Sequence, residues 1–182
     1  YDQPGNPKFD AWFGDSKVVD AEGKPLVVYH GTRADFDEFE PTSVRGDDVG
    51  IWLTGSVAYA ARHTRGDGSR RAGNAGPNIM PVYVAMENPM EIDVLEEGRR
   101  FAAEIGESPP ETALEAQSII AGNMGWDRTV LQIRDEAERK GHDGLIFRGF
   151  DDDAGVGLTT AYLAFRPEQI KSAIGNNGNY DP

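Results

Sequence analysis

The 182-residue sequence contains no cysteine, which excludes disulfides and leaves the redox state of its compartment open. No apolar run approaches the ~20 residues a spanning helix needs, so nothing predicts a membrane partner. Basic side chains are scarce: 18 Lys and Arg stand against 31 Asp and Glu, a formal net charge of −13. That charge repels a phosphate backbone and argues against general nucleic-acid binding, leaving only a local basic spot such as Arg70-Arg71. The three histidines, His30, His63 and His142, are dispersed, and neither Cys nor a His-x-x-x-His pair supports a metal site, so none is expected. The Gly-rich stretch "GDGSRRAGNAG" lacks the closing Gly-Lys-Ser/Thr and the strand-to-helix context of a phosphate-cradling loop. There is no internal repeat.

What is present describes a globular chain, 38% hydrophobic and 27% charged, long enough to bury one core. It opens at Tyr1 without an initiator Met or a signal-type segment, and so reads as a single domain, residues 1–182, cut from a longer protein. "FDAWFG" predicts a short helix, and "SKVVD" and "PLVVYHG" two strands around the turn Ala21 to Lys24. The acidic, turn-rich stretch "RADFDEFEPTSVRGDDVG" predicts a loop, with Asp35 to Glu40 as a solvated face. "GIWLT" predicts a short strand, and "GSVAYAARH" a short helix capped by Ser56. Arg65 to Asn78 is Gly-rich and predicts a surface loop. A strand "IMPVYVAMENPMEID" follows, then a helical segment over 94–140 with stretches at 94–105, 111–122 and 127–140. "DGLIFRG" and "TAYLAFRP" predict paired strands joined by the loop "FDDDAGVGLT". Strands at both ends with helices between them predict an α+β domain.

The candidate site starts at "PLVVYHGTR", an apolar run closing on His30, Gly31 and Thr32. A lone strand-end histidine has a structural reading, its ring bonded to a neighbouring carbonyl, and a ligand-binding one. Its company favours the second. Gly31 permits close approach to the backbone, and its N–H and C=O can pair with a carboxamide. Trp52 adds a large aromatic, and Tyr59 and His63 lie four apart on one helix face. An aromatic strand and an aromatic helix face beside a glycine make a slot for a planar ring.

Together "WFGDSKVVDAEGKPLVVYHGT", "GIWLTGSVAYAARH", "TAYLAF" and "RPEQIKSAIGNNGNYDP" resemble the ADP-ribosyltransferase domains of phage and mobile-element polyvalent proteins. These are related to the diphtheria-toxin and poly(ADP-ribose) polymerase group with its His-Tyr-Glu pattern. The resemblance covers roughly Phe9 to Thr64 and Pro81 to Pro182. It implies two facing antiparallel sheets around an NAD cleft, with the helical segment as an insertion. It also implies that His30 bonds the adenosine ribose of NAD and that the Gly31 backbone pairs with the nicotinamide amide. Trp52 then stands where relatives carry a stacking Tyr. His63, preferred by spacing, or Tyr59 one turn earlier forms the other wall.

At the third motif position relatives often carry Glu, and here it is Ala161. Leaving nicotinamide is neutral, so no general acid is required. The oxocarbenium ribose needs electrostatic support, which a carboxylate gives and Ala161 does not. Three explanations stay open: a natural variant using another group, an inactivating replacement, or a domain that binds NAD without turning it over. Asp151, Asp152 and Asp153, on the loop that the resemblance turns toward the acceptor, supply charge there or form a solvated turn. Glu168 and Gln169 are expected to be structural. The implied activity is mono-ADP-ribosyl transfer from NAD to a protein or nucleic-acid acceptor, by an effector or toxin-like domain of a bacterial or phage protein. It would act in the cytoplasm; delivery into a target cell and an immunity or inhibitor protein stay open. The alternative is a catalytically silent NAD- or partner-binding module. A nuclease toxin fits less well, given the negative charge and the lack of an acid–base pair.

Overall fold

A computed structural model describes residues 3–32, 39–44, 46–64, 78–151 and 157–174. Helix α1, Pro7–Phe13, starts at Asn6, whose side chain accepts from the Lys8 N–H, and carries Pro in its first turn, where the missing N–H is not needed. Strands β1 (Val28–Thr32), β2 (Thr42–Val44) and β3 (Asp47–Thr54) follow, then α2, Val57–His63. Strand β4 spans Asn78–Val84 and β5 spans Met90–Asp93. The insertion holds α3 (Val94–Ile105), α4 (Ala113–Ala121) and α5 (Trp126–Arg139), and the chain ends in β6 (Gly144–Asp151), β7 (Leu158–Ala164) and β8 (Ile170–Ser172).

The three helical stretches lie within a residue or two of their expected limits. Asp93 caps α3 at the Glu96 N–H, and Thr112 with Glu115 forms a capping box on α4, so side-chain oxygens fix both starts. Other expectations shift. "SKVVD" contributes only the isolated bridge Val19↔Pro25. The run "IMPVYVAMENPMEID" breaks in two, because the Asp143 carboxylate takes the N–H groups of Glu87 (2.7 Å) and Asn88 (3.0 Å) just before Pro89. The acidic loop contains β2 and the start of β3, turned at Gly46 with φ +94°; Asp35 and the rest of 33–38, like the loop 65–77 with Arg70-Arg71, lie outside the described residues.

The strands form one mixed sheet in the order β5-β6-β7-β3-β1-β4-β8, with β2 on β3. Only β5–β6 is parallel. Two facing antiparallel sheets are therefore not what the hydrogen bonds define. The two halves meet where β1 joins β3 through a single residue pair, Tyr29↔Thr54.

Alternation along the strands gives each face its own core. Leu145, Phe147, Ala161 and Leu163 bury against Val94, Ala116, Ile120 and Val130 of the insertion. Ile146, Tyr162 and Ala164 turn the other way, with Val28, Ile51, Leu53, Val82 and Val84, under Val18. Fully burying one such Leu or Val is worth about 1.5–3 kcal/mol. On α1, Phe9 meets Tyr83 edge-on at 5.0 Å.

The end of the sheet near β8 is closed by polar groups. The buried Gln169 accepts from the Phe165 and Arg166 N–H groups (both 3.0 Å) and donates to the carbonyls of Ala85 (3.0 Å) and Asp143 (2.8 Å). Its amide is fully used, as expected of a structural residue. Ser16, also buried, donates to the Val84 carbonyl (2.9 Å) and accepts from the Met86 N–H (3.0 Å).

Candidate functional site

The junction of β1 and β3 is built from strand parity. The Pro81 carbonyl accepts from the Ala173 N–H at 2.9 Å, so Pro81 directs its polar groups toward β8. Its partner Tyr29 and, two residues on, Gly31 therefore direct theirs toward β3. On β3, Gly55 donates to Thr160 across β7, so the alternate residues Thr54 and Trp52 face β1. Tyr29 and Thr54 pair. One step further the ladder changes: the Trp52 carbonyl accepts from His30 Nδ1 at 2.8 Å. An imidazole engages the carbonyl opposite Gly31, and the N–H and C=O of Gly31 point into the seam beyond the last paired residue.

A carbonyl only accepts, so Nδ1 of His30 carries the proton. Burial pushes the His30 pKa down; the Trp52 carbonyl opposes this, and the His63 charge adds to it. At neutral pH the ring is uncharged, and with the proton on Nδ1 its Nε2 is an acceptor and not a donor. Phe39 meets the ring edge-on at 5.5 Å. Thr32, the last residue of β1, pairs with Asn78.

Gly31 has a structural duty as well. A Cβ built there lands in the Ala60 carbonyl group, 2.7 Å from its carbon. The face of Gly31 expected to admit a flat ligand is thus covered by α2, and only its backbone edge is directed at the seam. The course of α2 is set at the end of β3: Thr54 Oγ1 accepts from the Ser56 N–H at 3.0 Å, and Ser56 Oγ from the Tyr59 N–H at 3.2 Å. Tyr59 and His63 then share a face, ring centroids 5.0 Å apart and edge to face. The half-buried Tyr59 is the inner ring, 6.1 Å from Phe150, and His63 is the exposed one.

The remaining rings form a continuous wall. Trp52 lies 5.6 Å from Phe147, and Trp126, at the start of α5, lies 5.6 Å from Phe147 and 5.4 Å from Phe150. Trp126, Phe147 and Phe150 were not singled out from the sequence. Their signal was an aromatic residue at a helix start and two on one short strand, which reads equally as core. Trp52 and Phe147 stand on β3 and β6 with β7 between them, so their contact passes over β7. Ala161, paired with both Thr54 and Phe147, is the small residue beneath it and is 1% exposed. The position expected to hold a carboxylate is therefore enclosed by hydrocarbon.

Asp151 ends β6, outside this wall. Gln117 of α4 donates to its carbonyl (2.9 Å) and accepts from its N–H (2.7 Å), standing in for a strand neighbour after β5 has turned into α3. Asp152 and Asp153 lie outside the described residues. Glu168 offers its carbonyl to the Trp12 indole N–H at 2.9 Å. Among the described residues, no group of three or more histidines and carboxylates comes together as metal ligands.

No curated protein matches the chain. Among solved structures, an anti-CRISPR protein is similar at 12% identity, over 81% of this chain and 94% of that one, with a TM-score of 0.36, too slight a likeness to carry an argument. The family model described as "ADP-Ribosyltransferase in polyvalent proteins" matches residues 20–180, a span that takes in β1, the seam, the aromatic wall and the insertion. The chain belongs to the family of ADP-ribosyltransferases in polyvalent proteins.

Proposed function

We propose that the seam between β1 and β3 binds NAD and that the chain transfers one ADP-ribosyl group from it to a macromolecular acceptor. The observation carrying this reading is the pairing of a neutral His30, held by the Trp52 carbonyl, with a Gly31 backbone aimed into the seam. A carboxamide offers one donor and one acceptor to Gly31, and a ribose hydroxyl can donate to Nε2 of His30. Trp52 and Tyr59 supply faces for the nicotinamide ring, with His63 at the rim and Thr32 at the end of the strand. In the transfer, the bond from the ribose anomeric carbon to the pyridinium nitrogen breaks and nicotinamide leaves neutral with the electron pair. The same carbon bonds to a nucleophile of the acceptor, whose proton passes to solvent. On this reading Asp151, at the end of β6, is the described residue offered to that acceptor. A domain of this kind serves as an effector or toxin-like part of a larger protein.

Calorimetry with NAD, together with chromatographic detection of free nicotinamide, tests the reading. Binding with nicotinamide release supports a transferase, and absence of NAD binding overturns it. Ala161, enclosed beneath Trp52 and Phe147, favours a second reading, a module that binds NAD and leaves it intact. Tight binding without nicotinamide release, with or without candidate acceptors, is its signature.

A further inference from the structure

Thr54 stands at the junction itself, as the residue of β3 that pairs with Tyr29 of β1. Its side chain is buried, and its Oγ1 accepts from the Ser56 N–H at 3.0 Å. Across on β7, the Oγ1 of Thr159 lies 3.5 Å from it. Thr159 is two residues from Ala161, the β7 partner of Thr54, so strand alternation puts its side chain on the face that Thr54 and Trp52 share. It pairs with Phe150, the ring that Tyr59 of α2 approaches at 6.1 Å. A half-buried hydroxyl therefore adjoins the junction, beside the enclosed Ala161.

The direction of the contact follows from burial. A buried hydroxyl proton left without an acceptor is costly, and among the described residues Thr159 is the acceptor that the Thr54 proton reaches. Thr54 therefore donates and Thr159 accepts, which leaves the proton of Thr159 for another oxygen. Resting on the NAD reading above, we propose that Thr159 binds the ligand, its hydroxyl donating to an oxygen of the ribose that carries nicotinamide. With the carboxamide on the Gly31 backbone, the hydroxyls of that ribose are the next oxygens along the ligand. Thr159 adjoins β3, the strand across the seam from Gly31. Such a contact holds the sugar without favouring cleavage: a donor draws electron density from the ribose, whereas the oxocarbenium ion needs negative charge beside it.

The test is calorimetry on the unaltered chain, Thr159→Val and Thr159→Ser with three ligands: NAD and its analogues lacking the 2′- or the 3′-hydroxyl of the nicotinamide ribose. Thr159→Val keeps the side-chain shape and removes the donor, and NAD affinity is expected to fall roughly fivefold, the scale of one net hydrogen bond. The same replacement leaves the affinity for one of the two analogues unchanged, because that analogue already lacks the contact. Thr159→Ser, which keeps the hydroxyl, retains most of the NAD affinity. If Thr159→Val weakens NAD and both analogues equally, or leaves NAD untouched, Thr159 does not hold that ribose and the proposal fails while the NAD reading stands. If the unaltered chain does not bind NAD, the NAD reading itself fails and takes this proposal with it.

Discussion

The two ends of β1's half of the sheet treat buried polar groups in opposite ways. Near β8, Gln169 uses all four of its hydrogen-bonding positions on protein backbone, and Ser16 closes the strand end beside it. At the seam, β1 and β3 share one residue pair, and a side chain, His30, takes the carbonyl that would continue the ladder. A saturated end has nothing to offer a ligand, so it reports on stability. An end whose ladder stops after one pair is, on the reading proposed above, where a ligand binds. Perturbing each end separately shows whether that division holds.

The largest effect belongs to the saturated end. Gln169→Leu strands two N–H groups and two carbonyls, each costing about 1–3 kcal/mol when left buried and unmet. The expected loss is about 4 kcal/mol or more, read as a large fall in the urea midpoint. A drop under about 1 kcal/mol would mean that water replaces the amide and that this end is not closed.

Ala161→Glu comes next and sharpens the contrast from the seam side. A carboxylate enclosed by Trp52, Phe147 and the rest of that apolar cluster either loses hydration or protonates. The expected cost is about 3 kcal/mol, the scale of a buried carboxyl, with no gain in nicotinamide release. Combining it with Trp52→Tyr makes room, and there the added carboxylate is expected to raise release on the order of a hundredfold, as one transition-state partner worth about 2.7–4 kcal/mol would. If the single replacement is the faster enzyme, the indole does not cover position 161.

Gly31→Ala is smaller and mixes the two kinds of effect. Its Cβ meets the Ala60 carbonyl group, so α2 must shift at a cost of about 1–3 kcal/mol, and NAD affinity falls with it because Tyr59 rides on α2. Calorimetry and urea denaturation on the same preparation separate the losses. Unchanged binding alongside lowered stability would move the ligand away from α2.

Much of this contrast was legible in the sequence, and unevenly so. The insertion helices were legible as stretches, and they keep those limits within a residue or two because Asp93, Thr112 and Glu115 act within a few residues of where they stand. The strand carrying His30 and Gly31 was legible for the same local reason. Partners set by register were not. That Pro81 decides which way Gly31 points, that Asp143 breaks the run before Pro89, and that Trp52 reaches across β7 to Phe147 all depend on which strands become neighbours. Trp126 was hidden differently: an aromatic residue at a helix start has no local mark of which rings it will meet, here Phe147 and Phe150.

The smallest effect is the pH dependence of His30. Burial lowers its pKa in the folded chain, against the bond to Trp52 and with the charge of His63, while the unfolded chain titrates near the ordinary histidine value of about 6.5. Above that value the ring is neutral in both states and the group does not make stability depend on pH. As pH falls through it, the unfolded chain takes up the proton first and stability drops, until the folded ring also protonates and the loss levels off. His30→Gln keeps a polar group and removes the titration, so urea midpoints at pH 7.5 and 5.5 should fall further for the parent than for the variant. The same proton occupies the Nε2 lone pair, so parent NAD affinity should weaken over the window in which the folded ring charges, below the ordinary histidine range. Equal pH slopes of stability in the two proteins would mean that His30 is not held neutral by burial, and the seam would lose the acceptor on which its reading rests.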